Sequence, residues 1–188
     1  RRDEVAEFLT AVRGDVGERT IDRVHGRTGG NPLFLSELVS AAADDAELTD
    51  ALPWTLSEIL RPEIERLAAD QRAVAEAVAV LGAGAPFELV AAAVAVEEDE
   101  LLTQLRHLVD SGILVESRPD RFDFRHELVR EAVADGLFAR ERRRIHAAAH
   151  DALVAAGSDD ETALITHAEG AGRLEQAAEA ARAAAIRA

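Results

Sequence analysis

Apolar residues in this chain recur at helical spacing almost from end to end. Only between Ile113 and Phe124 does the repeat drop to two. A chain patterned in this way buries its apolar surface by packing helix on helix, with room for a single hairpin. Composition agrees. Apolar residues make up 48% of the 188, weighted to Ala, Val and Leu, while aromatic residues reach only 4%. Small, helix-favouring side chains at that density suit close-packed helices better than a sheet sandwich, so the expected fold class is mainly α.

The pattern divides into three blocks: 1–51, 52–138 and 139–188. In the first, Asp3 to Arg13 and Glu18 to Arg27 read as short helices. Asn31 suits an N-cap and Pro32 the first helical position ahead of the stripe Leu35, Leu38, Val39 and Ala42, with Gly29-Gly30 as a flexible turn before them. In the second block, Thr55 and Glu58 have capping-box spacing, and Asp70 is placed to cap a helix with the face Val74, Ala77, Val78 and Leu81. Gly82 to Pro86 breaks that helix, and a short one follows from Phe87 to Ala95. Leu101, Leu105 and Leu108 then mark a third, which ends at Ser111-Gly112. Ile113 and Val115 alternate with polar residues, Pro119-Asp120 turns, and Phe122 and Phe124 alternate again. Helices followed by a two-stranded wing form the winged-helix pattern, here with one β-hairpin. A further helix starts near His126 and runs to about Phe138. The third block reads as helices at about 140–156, 161–171 and 173–188, the start of a TPR-like array of helical hairpins. The opening Arg1 and the abrupt end of the last helix read as a segment cut from a larger protein.

What is missing limits the chemistry. Every basic residue is Arg, so there is no P-loop lysine or Schiff-base lysine, and without Cys there is no disulfide, thiolate ligand or thiol nucleophile. No nucleophile–base pair stands out, and an enzyme acting alone is not expected. A net charge of −15 repels a phosphate backbone on average. The third helix of the winged block opens on Glu97, Glu98, Asp99 and Glu100, which argues against its entering a major groove. No apolar run approaches a membrane span of about 20 residues, and no signal peptide opens the chain, so a cytoplasmic location without membrane partners is expected. His146 and His150 are four apart, but no third ligand is evident and no metal is expected. Arg140, Arg142, Arg143 and Arg144 read as an ion-pairing surface against an acidic chain.

Two stretches carry more. Thr28-Gly29-Gly30-Asn31-Pro32 lacks the Walker spacing and a lysine; from pattern alone it is a capped helix start. Arg125 and His126 stand where a wing strand hands over to a helix, whose N-terminal N–H groups and positive dipole end favour anions. They suit contact with a phosphate oxygen. The plainer reading is that His126 caps the helix and Arg125 pairs with a carboxylate.

Together the two stretches resemble a known family. Thr28-Gly29-Gly30-Asn31-Pro32-Leu33-Phe34-Leu35-Ser36-Glu37-Leu38 is similar to the TGGNP signature of STAND-type ATPases, especially the large LuxR-type transcriptional regulators. Leu52-Pro53-Trp54-Thr55-Leu56 with Arg66-Leu67, Phe124 to Ala132, and Arg142-Arg143-Arg144-Ile145-His146 are similar to three further boxes of that family. The resemblance implies that 1–51 is a helical lid, 52–138 a winged-helix domain and 139–188 the start of a helical-repeat sensor. It implies that an N-terminal P-loop domain binds ATP or ADP, with Mg alongside, in a slow ATPase switch. DNA would be touched only through a further domain. Gly30, Asn31 and Pro32 would then lie against the adenine, and His126, beside Arg125, would touch the terminal phosphate of ADP. No cofactor is expected on the isolated segment. The same module in a cyclase or kinase, and a free-standing winged-helix DNA binder, are the rival expectations.

Overall fold

A computed structural model of the chain describes residues 1–42, 64 and 66–187. The first unit comprises α1 (Arg2–Arg13), α2 (Glu18–Thr28) and α3 (Pro32–Ala41). Val5 and Leu9 lie one turn apart on α1, and they close on Ile21, Val24, Leu35 and Leu38. Arg13, at the end of α1, donates to the carbonyls of Val39 and Ala42. It thereby satisfies acceptors that the end of α3 leaves without an intrahelical donor.

The second unit runs α4 (Ala69–Leu81), β1 (Ala85–Pro86), α5 (Phe87–Val94), α6 (Glu98–Asp110), β2 (Leu114–Arg118), β3 (Arg121–Phe124) and α7 (Glu127–Gly136). Its sheet is antiparallel in the order β1-β3-β2. This helix–strand–helix–helix–strand–strand order is the winged-helix arrangement. The core joins Val74, Ala77 and Val78 of α4 and Val90 of α5 to Leu101, Leu105 and Leu108 of α6, and closes on Leu114, Phe122 and Phe124. A fully buried Leu side chain contributes about 1.5–3 kcal/mol relative to exposure, so the α6 stripe is a main support of the unit.

In three places the local chemistry differs from the sequence reading. The stretch Gly82 to Pro86 is not only a break, because Ala85 and Pro86 form a third strand on β3. Leu114, rather than Ile113 or Val115, is the fully buried wing residue, since it stands opposite Phe124 on the core face. Asp70 lies inside the first turn of α4 and does not cap it; Gln71 Oε1 accepts from the N–H of Ala68 at 3.2 Å. The helix expected around Thr55 and Glu58, and the boundary at 51/52, lie outside the described residues.

The last three helices are α8 (Ala139–Ala155), α9 (Glu161–Gly170) and α10 (Leu174–Arg187). Adjacent helices pack as hairpins, and buried Ala149, Ala168 and Ala177 let them approach closely. Helix α8 also packs on α4 and α5, so the hairpins rest on the winged-helix unit. No described helix is long and apolar enough to cross a membrane.

Candidate functional site

The site grows from the end of α2. Thr28 is fully buried; its hydroxyl donates to Val24 O at 2.8 Å and accepts from Gly30 N at 3.2 Å. The N–H of Asn31 returns to Thr28 O at 3.0 Å, closing a turn whose two central residues, Gly29 and Gly30, have φ of 59° and 74°. Positive φ at both central positions is the pattern of a type I′ turn, which strongly favours glycine. The pair expected to be a flexible turn is thus held in one hydrogen-bonded shape. Asn31 Oδ1 then accepts from Leu33 N at 3.0 Å and caps α3, with Pro32 exposed in its first turn. Asn31 and Pro32 sit where the capping pattern puts them.

The other half of the site is the junction of β3 and α7. His126 occupies the N-cap position, and its carbonyl accepts from Val129 N at 3.0 Å, but its imidazole makes no cap hydrogen bond. The ring lies against the Gly29 turn instead. A Cβ placed on Gly29 would come within 2.6 Å of His126 Nδ1. Phe34, one turn into α3, meets the same ring edge-on, with centroids 5.5 Å apart at 85°. Gly29 therefore has to be glycine twice over, for its backbone angle and for the imidazole beside it.

A partly buried ion pair fastens this approach. Arg27, 9% exposed on α2, meets Glu131, 24% exposed on α7, at 2.6 Å across a separation of 104 residues. Phe34 packs with Leu128, Val129 and Ala132 on the same side of α7. The first unit is thus stapled to the winged-helix unit at the two stretches that the sequence singled out.

Electrostatics narrow what the imidazole can do. Burial, and then the neighbouring Arg125 charge, hold the His126 pKa below the ordinary histidine value, so the ring is neutral at pH 7. Nδ1 is buried and has no hydrogen-bond partner among the described residues. An orphaned N–H in such a place is rarer than an under-satisfied acceptor, so the proton belongs on Nε2. Nε2–H is then the donor the ring can offer to an external group. Next to His126 in the chain, the first N–H groups of α7 have no intrahelical partner, which favours an anion.

Arg125 behaves otherwise than expected. Its N–H donates to Ile113 O at 3.0 Å and its Nε to Gly112 O at 3.2 Å, bracing the turn between α6 and β2. It pairs with a carbonyl rather than a carboxylate, and its guanidinium bears on His126 only through charge. In the basic cluster, Arg142 likewise donates to a carbonyl, that of Ala134, at 2.9 Å. Among the residues the sequence proposed, Gly30, Asn31, Pro32 and His126 gather around one turn, with Arg125 next in chain. Sequence reasoning missed Gly29 as the contact point, Phe34 as its wall and Arg27–Glu131 as its fastening. Phe34 and Glu131 lie inside those two stretches, but neither falls on a cap, turn, stripe or wing-junction position to which the pattern gives a role.

The chain matches no protein-family model, and no curated protein matches it either.

Proposed function

We propose that this chain is the lid and winged-helix segment of an ATP-dependent signalling ATPase of the STAND type, of the kind found in large LuxR-type transcriptional regulators. One observation carries the reading: the two stretches on which the resemblance rests meet, with His126 seated on Gly29. A nucleotide-sensing junction between lid and winged helix needs that meeting, whereas two unrelated helix caps would not produce it.

The residues present fit one end of a nucleotide and no more. His126 would donate its Nε2–H to a terminal phosphate oxygen, with the N-terminus of α7 adding its dipole. Pro32, exposed beside the I′ turn, offers an apolar edge to a flat base. No lysine is available to hold the phosphates, so binding would depend on a P-loop domain that this chain does not contain. Bound ADP would supply the charge that holds the closed, inactive arrangement, and inducer sensed by helical repeats would favour an open one. Such a switch acts in the cytoplasm as a regulatory segment rather than as an enzyme, and reaches DNA through another domain. The free-standing DNA-binder reading is weakened by the exposed first turn of α6, with Glu98, Asp99 and Glu100.

The test is the release of fluorescent ADP from the intact protein, P-loop domain included. Losing a charge-assisted hydrogen bond worth about 1.5–3 kcal/mol predicts that His126→Ala speeds release by roughly 10- to 100-fold. An unchanged release rate removes the sensor role.

A further inference from the structure

Away from this junction, His146 on α8 and His167 on α9 face each other with their Nδ1 atoms 2.9 Å apart. Their ring centroids are 5.2 Å apart. That exceeds the nitrogen separation only by about one ring radius at each end, so the two nitrogens point at each other along the line of centres. Such an alignment is a single N–H···N hydrogen bond, in which one imidazole donates and the other accepts. It is too short for a metal in line, which at roughly 2.0–2.1 Å per bond would need the nitrogens about 4 Å apart. The fit around the rings is close. A Cβ on Gly170 would stand 2.5 Å from the His146 ring, and His167 is 5% exposed.

The charged neighbours do little to help a second proton. On α8, His150 Nδ1 lies 3.2 Å from Arg173 and 3.6 Å from Asp151 Oδ1, between a cation and a carboxylate. Arg173 is itself held by both oxygens of Asp151. Asp160, the N-cap of α9, is the carboxylate that bears on His167. Glu169 on α9, Glu175 and Glu179 on α10, and Glu88 on α5 are exposed. On α4, Glu76 faces Glu141, Arg72 and Arg144. Burial dominates: it lowers the His146 pKa, and with His146 and His150 it pushes His167 down to about 4.

The geometry points to an acid-sensitive clasp: His146 and His167 hold α8 to α9 through one shared proton, and uptake of two protons from solvent, ending with one extra on each ring, sets two cationic rings against each other and parts the hairpin. Both folded-state values are depressed, so below the ordinary value of 6.5 the opened hairpin binds more protons than the closed one. The clasp's contribution is therefore complete above about pH 6.5 and drains away as the pH falls toward 4. Because α8 is also packed on α4 and α5, α9 and α10 can loosen while the winged-helix core stays closed. This clasp does not depend on the nucleotide reading.

Amide hydrogen exchange of the whole chain, corrected for the intrinsic pH dependence, tests it. Between pH 7.5 and 5.0, protection over 161–170 should fall at least tenfold relative to α6 in the parent chain. The fall should be clearly smaller in His167→Asn, whose amide replaces the Nδ1 hydrogen bond without titrating and leaves His146 alone to take up a proton. An equal fall in parent and variant overturns the clasp, and His146→Asn repeats the comparison. If neither variant folds, the ¹⁵N spectrum of the parent decides. One ring protonated on Nδ1 and one on Nε2 at pH 7 supports the shared proton; two rings titrating independently near the ordinary value overturn it.

Discussion

Gly29 and Gly30 are adjacent, identical in type and alike in backbone angle, yet they stand in different surroundings. A Cβ on Gly30 would meet nothing nearer than the Arg1 backbone nitrogen at 3.4 Å, whereas a Cβ on Gly29 would strike His126 at 2.6 Å. Gly30→Ala should thus cost only the left-handed backbone penalty of about 1–2 kcal/mol. Gly29→Ala adds an overpacking cost of about 1–3 kcal/mol. Because that extra cost is paid against one ring, His126→Ala should relieve it. A double-mutant cycle by urea denaturation is expected to show a coupling of about 1–2 kcal/mol between Gly29 and His126. Strict additivity would mean that the ring does not lie where the structure places it. The glycine pair was legible as a turn, because such dipeptides favour positive φ. Which of the two carries the contact was not legible, since the partner lies on another unit of the fold.

Among the secondary-structure elements, α6 was read most surely and β1 not at all, for the same physical reason. Leu101, Leu105 and Leu108 repeat over several turns of helix, and all three are buried to 2% exposure or less. Ala85 and Pro86 span too few residues to show any alternation, and they become a strand only because β3 lies alongside. The wing shows an intermediate case. Ile113, Leu114 and Val115 are all apolar, so no alternation within the segment sets its register; pairing with Phe124 does. The stripe on α6 supports a quantitative expectation. Leu105→Ala, at 2% exposure, should destabilise the chain by about 2–5 kcal/mol in urea denaturation. Leu102→Ala, at 39% exposure on the same helix, should cost under about 1 kcal/mol. Equal losses would mean that the helix is rotated from the face described.

At the scale of the molecule, the informative result is a long-range contact. Helix caps, stripes and the wing were readable because they depend on neighbours a few residues away. Arg27 meeting Glu131, and Phe34 packing on Leu128, depend on how elements about a hundred residues apart in the chain meet, and no local pattern encodes that. Resemblance supplied the expectation that the two stretches cooperate, and the structure supplies their proximity; the nucleotide between them is the proposal. The most direct test compares ADP and AMP binding to the intact protein, P-loop domain included, with and without His126→Ala, by calorimetry. If the imidazole serves the terminal phosphate, ADP affinity should fall roughly tenfold or more while AMP affinity is unchanged. Equal losses for both nucleotides, or no loss for ADP, would contradict the account.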